Sequence, residues 1–201
     1  MLSEAPPTSG STVDCAVYVD GQRLPGTWTH AGAITEVRTR GDGFVWIGLY
    51  EPDADEVREL AKTFGLHELA VAAAVRTYQR PALTRYGDLL LMVFKTVRHV
   101  AHESPLTANE IVETGEIIAF LGTDFIVTVR RGEHSGLRGL RADLEAAPAR
   151  LRAGAAAVLH AIADRMVNTY QAVTTPSKPT SRMWDRWCST PAAPSGPSTC
   201  T

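Results

Sequence analysis

Residues 46–100 read WIGLYEPDADEVRELAKTFGLHELAVAAAVRTYQRPALTRYGDLLLMVFKTVRHV. Trp46 belongs to a short strand, Phe44 to Tyr50, rich in aromatic and β-branched residues. Pro52 falls where a first-turn proline is tolerated, with Asp53, Asp55 and Glu56 near the positive end of a helix. Val57, Leu60, Ala61 and Phe64 recur at helical spacing, and Gly65 is expected to stop that helix. A second helix is predicted from about His67 to Tyr78. Pro81 forbids its continuation, because proline lacks an amide hydrogen and clashes with the preceding turn. Leu89 to Val97 then starts as a strand apolar on both faces, which calls for cover above and below the sheet.

Working outward, Asp14 to Asp20 reads as a strand ending in the turn pair Asp20-Gly21. Gly115 to Leu121, Gly122-Thr123-Asp124 and Phe125 to Val129 read as a hairpin. Leu137, Leu140 and Leu144 mark a helix ending before Pro148, with Ser135 as its expected cap. Val158, Leu159, Ile162, Met166, Val167 and Tyr170 line a broad apolar helical face. The expected fold class is therefore α/β, with α/β/α layers and a mixed sheet flanked by helices.

The chain has 201 residues, enough for one domain with a substantial core. With 44% hydrophobic residues, 21% charged residues and a formal net charge of -2, nothing indicates a basic nucleic-acid face. Cys15, Cys188 and Cys200 form neither a metal-ligand spacing nor an even disulfide framework, which fits a reducing cytosol. A spanning helix needs about 20 mostly apolar residues, and no run here approaches that. Residues 1–12 read as a disordered leader and 13–173 as the folded domain. Residues 174–201 read as a disordered tail, more than half of it Pro, Ser or Thr from Pro176 onward.

No set of Ser, Cys, His and acidic residues has catalytic spacing, so the chain is not expected to be an enzyme. Gly132-Glu133-His134-Ser135-Gly136 fails as a nucleophile elbow, which needs serine where His134 stands. His99 and His102 with Glu103 are too few and too divergent for a zinc site. Glu110, Glu113 and Glu116 read as a solvated charged connection.

The order of these pieces resembles the N-terminal cytosolic domain of the CorA-type magnesium and cobalt transport family. Gly65-Leu66-His67, Gln79-Arg80-Pro81, Tyr86-Gly87-Asp88 and Lys95-Thr96-Val97-Arg98 carry the likeness. It continues through Gly115-Glu116-Ile117-Ile118, Thr123-Asp124-Phe125 and Thr128-Val129-Arg130 to the helix around His160-Ala161-Ile162-Ala163-Asp164. The resemblance covers residues 13 to 173. It implies a CorA-type α/β/α domain that sits on the cytosolic side of a membrane channel, five copies around one axis, with Mg2+ or Co2+ as the family's ion.

Two departures stand out. The family's Glu-Asp pair, which helps hold regulatory divalent ions between protomers, falls on Ala72 and Ala73. Magnesium takes oxygen ligands, and alanine offers none. Where the family continues into an acidic stalk, this chain has Asn168-Thr169 and then the Pro/Ser/Thr-rich tail, as a frameshift or premature stop would give. The expectation is a cytoplasmic domain without bound metal, mainly monomeric and unable to transport alone. The alternative is a soluble regulatory protein that associates with intact CorA-type channels. Arg80, with Gln79 and Pro81, has two open roles: a local contact fixing the helix-to-strand turn, or a carboxylate partner across a subunit boundary.

Overall fold

The computed structural model describes residues 11–76, 80–99, 112–132, 137 and 139–174. Strands β1 (Thr12–Val19) and β2 (Gln22–Arg23) form a hairpin, followed by helix α1 (His30–Arg40) and strand β3 (Phe44–Tyr50). Helices α2 (Ala54–Phe64) and α3 (Glu68–Val75) lead to strands β4 (Ala82–Tyr86), β5 (Leu89–His99), β6 (Val112–Leu121) and β7 (Phe125–Arg131). Helices α4 (Leu140–Glu145), α5 (Pro148–Leu151) and α6 (Ala155–Thr174) complete the order.

The strands form one sheet in the order β2-β1-β3-β7-β6-β5-β4. All neighbours are antiparallel except β3 and β7, which run parallel from Val45↔Phe125 to Tyr50↔Arg130. Side chains alternate across the sheet, so each strand feeds two cores. Val45, Ile47, Leu91, Val93, Ile118 and Val127 pack with α1, α2 and α3 on one face. Tyr18, Phe44, Trp46, Phe94, Ile117 and Ile126 pack with α4, α5 and α6 on the other. This is the layered mixed sheet that the sequence leads one to expect.

Local chemistry fixes the joints. Asp20 and Gly21 both have left-handed backbone, φ 49 and 77, the twist that a tight hairpin between right-twisted strands requires. Asp53 caps α2 by accepting from the amides of Asp55 and Glu56, while Glu56 reaches back to the Asp53 amide. Pro52 therefore precedes the cap and is buried, instead of occupying the first turn. Gly65, left-handed at φ 67, ends the helix as expected.

Several boundaries differ from the sequence reading. Helix α3 stops at Val75, with Arg76 extended, short of the expected Tyr78. The Arg76 carbonyl instead accepts from Arg131 Nη1 at 3.4 Å. The helix expected near Gly136 begins at Leu140 behind a Gly139 cap, and Ser135 lies outside the described residues. Glu116 is not solvated: it is 6% exposed and ion-paired with Lys95, its cross-strand partner in register. The strand's alternation places it on the α1–α3 face, and an acid buried there needs a cation beside it.

Candidate functional site

Ala72 and Ala73, which the resemblance sets at acidic positions, both lie on α3 but meet different surroundings. Ala73 packs partly buried against the core of the α1–α3 face. Ala72 is exposed and lines an open groove of about 800 Å3 between α2 and α3. Apolar Ala61, Leu66, Val71 and Val75 form much of that groove. Its charged rim is Arg58, Lys62 and Glu68. One carboxylate beside two cations is a poor donor set for a hard divalent ion, which wants several oxygens and excess negative charge. Among the described residues, no group of three or more His, Cys, Asp or Glu side chains is placed to hold a metal ion.

Leu69 at the start of α3 is 62% exposed. His67 caps the helix, its Nδ1 accepting from the Leu69 amide at 3.2 Å, and its ring stacks on Tyr86 of β4 at 5.1 Å between centroids. The α3 surface is thus pinned at its N-terminal end and open on its outer side. Arg80 and Pro81 are exposed in the connection from α3 to β4, and Gln79 lies outside the described residues. Arg80 has no hydrogen-bond or ion-pair partner among the described residues. The side chain of His99 lies outside the described residues, as do His102, Glu103 and His134.

A polar network that the sequence reading did not single out occupies the opposite face. The Arg141 guanidinium lies over the Trp46 ring, 3.9 Å from its centroid. Its Nη1 donates to the Tyr18 hydroxyl at 3.0 Å and stands 3.3 Å from the Asp14 carboxylate. Arg23 forks both Asp14 oxygens at 2.9 and 2.8 Å, and the Tyr18 hydroxyl donates to Glu145 at 2.6 Å. Burial pushes the Tyr18 phenol well above its ordinary value, with the Glu145 carboxylate adding to the shift and Arg141 opposing it. No periodicity could reveal this set, because it joins residues of β1, β2, β3 and α4 through the fold. A tryptophan in a strand and an arginine on a short helix are common in themselves.

No helix among the described residues is long and apolar enough to cross a membrane. Residues 41–176 match the family model described as CorA-like Mg2+ transporter protein. A curated relative, the putative metal ion transporter YfjQ of Bacillus subtilis (strain 168), is 29% identical over 125 residues, or 62% of this chain and 36% of that protein. The soluble domain of CorA from Methanocaldococcus jannaschii superposes with a TM-score of 0.55 at 13% identity, covering 88% of this chain and 62% of that one. The full-length CmaX protein gives 0.60 at 16% identity, covering 90% of this chain and 50% of its own. These structural likenesses establish the shared fold, and the chain spans about a third of the curated relative's length. From the matched residues and the architecture they build, the chain belongs to the CorA-like Mg2+ transporter family.

Proposed function

We propose that this chain provides the cytosolic domain of a magnesium and cobalt transport protein and does not conduct ions on its own. The observation that carries the reading is the family match from residue 41 to 176, which falls on a layered α/β/α unit. None of its described helices is suited to a lipid-facing path. The domain's place in the family's work is then to sense ions or partners and to pass that state to a pore.

The α3 groove bears on how far that sensing persists. A divalent ion bound between protomers stabilises the state it binds, and shifts the assembly only by its difference in affinity. With Ala72 facing the groove and Arg58 and Lys62 on its rim, that difference is small, so the domain is monomeric and indifferent to magnesium. Reconstituting the purified chain in liposomes and measuring Mg2+ and Co2+ flux tests the first part. No flux above empty vesicles is expected, and protein-dependent flux would overturn the reading.

One observation favours a second reading, association with an intact channel of the same family. Leu69 and the apolar groove beside it leave α3 uncovered on its outer side. Co-purification with a full-length relative, lost on Leu69→Glu, would select that reading. Equal recovery of both forms would dismiss it.

A further inference from the structure

Strand β4 forms one edge of the sheet, and its side chains sort by face through their partners on β5. Leu83 stands opposite Met92, and directly paired residues share a face. Met92 and Leu90 pack, partly buried, against the core under α4, α5 and α6, so Leu83 points to that same side. There it is 62% exposed. Helix α6 reaches this end of the sheet without closing it. Its Tyr170 hydroxyl donates to the Lys95 carbonyl of β5, and Val167, one turn earlier, is 51% exposed. Leu83, Leu90 and Met92 thus form an apolar strip across β4 and β5, and α6 brings a further exposed apolar side chain to the same face.

The chain itself supplies an occupant. Helix α6 ends at Thr174, and the sequence beyond it runs TPSKPTSRMWDRWC over residues 175–188. Segments of Pro, Ser and Thr stay unfolded because they have too little apolar surface to bury. Met183, Trp184 and Trp187 break that composition, and a tryptophan buries roughly 150–250 Å2. The strip is also close to where the segment starts. Tyr170, held at Lys95, is one helical turn before Thr174. Along β5, Met92 lies about 10 Å from Lys95, and β4 is about 5 Å further across. Between Thr174 and Trp184 the extended chain reaches about 35 Å, which exceeds that gap.

The charges agree with this placement. Arg85, two residues along β4 on the face of Leu83, is exposed and donates its Nε to the Gly87 carbonyl at 2.8 Å. Asp185, between the two tryptophans, offers it a carboxylate. Arg182 and Arg186 are long enough to keep their guanidinium groups in water.

We infer that residues 183–187 fold back on their own domain, seating Trp184 and Trp187 on the strip of Leu83, Leu90 and Met92 beside α6. The segment then shields the β4 edge, where an open strand otherwise invites pairing with a second chain. This face is opposite the α3 groove, and the inference does not depend on ion sensing or transport.

The test uses the whole chain with 5-fluorotryptophan at Trp28, Trp46, Trp184 and Trp187, each signal assigned by a single Trp→Phe replacement. Fluorine shifts in light and heavy water report solvent access. Trp184 and Trp187 should be displaced from the free-peptide position and shielded from solvent. Leu83→Lys should return both to the free-peptide position. The Trp46 signal, from the buried core, should stay in place and show that the fold is intact. Conversely, Trp184→Ser combined with Trp187→Ser should shift the amide resonances of Leu83, Leu90 and Met92. Free-peptide signals in the wild type would overturn the inference, and so would shielded signals indifferent to Leu83→Lys. Shielding that vanishes on dilution would overturn it as well, by assigning the contact to a second copy.

Discussion

Lys95 on β5 and Glu116 on β6 face each other across directly opposed register positions, and the acid is 6% exposed while the lysine side chain is 25% exposed. A buried carboxylate is made tolerable in part by the ammonium beside it, and losing that ammonium adds to its desolvation cost. Lys95→Met is therefore expected to destabilise the domain by about 2 kcal/mol, discounted from the fully buried case because Lys95 reaches solvent. The double variant Lys95→Met with Glu116→Leu should recover most of that loss. Urea denaturation of the three proteins checks it, and a double variant no better than the single one would count against the pair.

The hairpin turn at Asp20-Gly21 abuts the start of α5. A Cβ on Gly21 would lie 2.2 Å from the Pro148 carbonyl oxygen, at a left-handed φ of 77. Both the clash and the backbone conformation oppose a side chain, so Gly21→Ala should cost about 3 kcal/mol or more. Gly65 has a similar φ of 67 but open space around it. There Ala pays only the left-handed penalty, roughly 1–2 kcal/mol. Comparing the two denaturation midpoints separates steric from conformational cost.

Burial, reinforced by the neighbouring Asp14 charge, pushes the Cys15 thiol up to about 12, with Arg141 and Arg23 pulling the other way. The thiolate is the reacting species, so at pH 8 the folded chain should modify Cys15 roughly a thousandfold more slowly than the unfolded chain does. Disulfide-reagent kinetics in a Cys188→Ser, Cys200→Ser background measure this. A fast phase in native buffer would contradict it.

The His30 imidazole is held below its ordinary value by burial, with the Glu59 carboxylate partly opposing. Such a histidine takes up a proton on unfolding, so its stabilising effect is complete above the unfolded value and fades as pH falls through it. Unfolding free energy should therefore decline as pH drops from about 7.5 to about 5, and His30→Gln should flatten part of that decline. Urea midpoints across the range, with and without the substitution, decide it.

Magnesium should leave the melting temperature of the domain unchanged at millimolar concentration, because the α3 groove offers one carboxylate, Glu68, among two cations. A ligand specific for the native state must stabilise it, so a rise of several degrees over sodium chloride at equal ionic strength would contradict the reading. Scanning calorimetry is sufficient.

The parts of the fold visible in the sequence are those where one local rule dominates. Strand β3 announces itself by FVWIGLY, and the β6–β7 hairpin by two apolar runs around a turn. Helix α2 shows apolar residues at helical spacing and a stop glycine, whereas its Asp53–Glu56 capping box was not read from the sequence. Helix α1 was not legible: its eleven residues include Gly32, Thr35 and Thr39, and it buries only Ala33, Ile34 and Val37. Strand β4 hides for another reason. It is a sheet edge with no fully buried residue, so its pattern of alternation is faint. Ala72 and Ala73 are readable in sequence, but their surroundings are not. That Ala72 faces a groove rimmed by Arg58 and Lys62 follows only once α2 and α3 are packed. Arg141 reaches the Trp46 carbonyl from 95 residues away, beyond any window of periodicity.

The single parallel pairing has a consequence for synthesis. Strand β3 is finished at Tyr50, but its partner ends at Arg131, some eighty residues later along the chain. Until the ribosome has released that second strand, the open flank of β3 presents unmatched amide and carbonyl groups on an oily ribbon. Bridging so large a gap is slow, since closure entropy is lost before the long-range contact is gained. The nascent chain thus passes through a stage in which its most apolar strand is half-clad, and that interval is when a chaperone has most to protect.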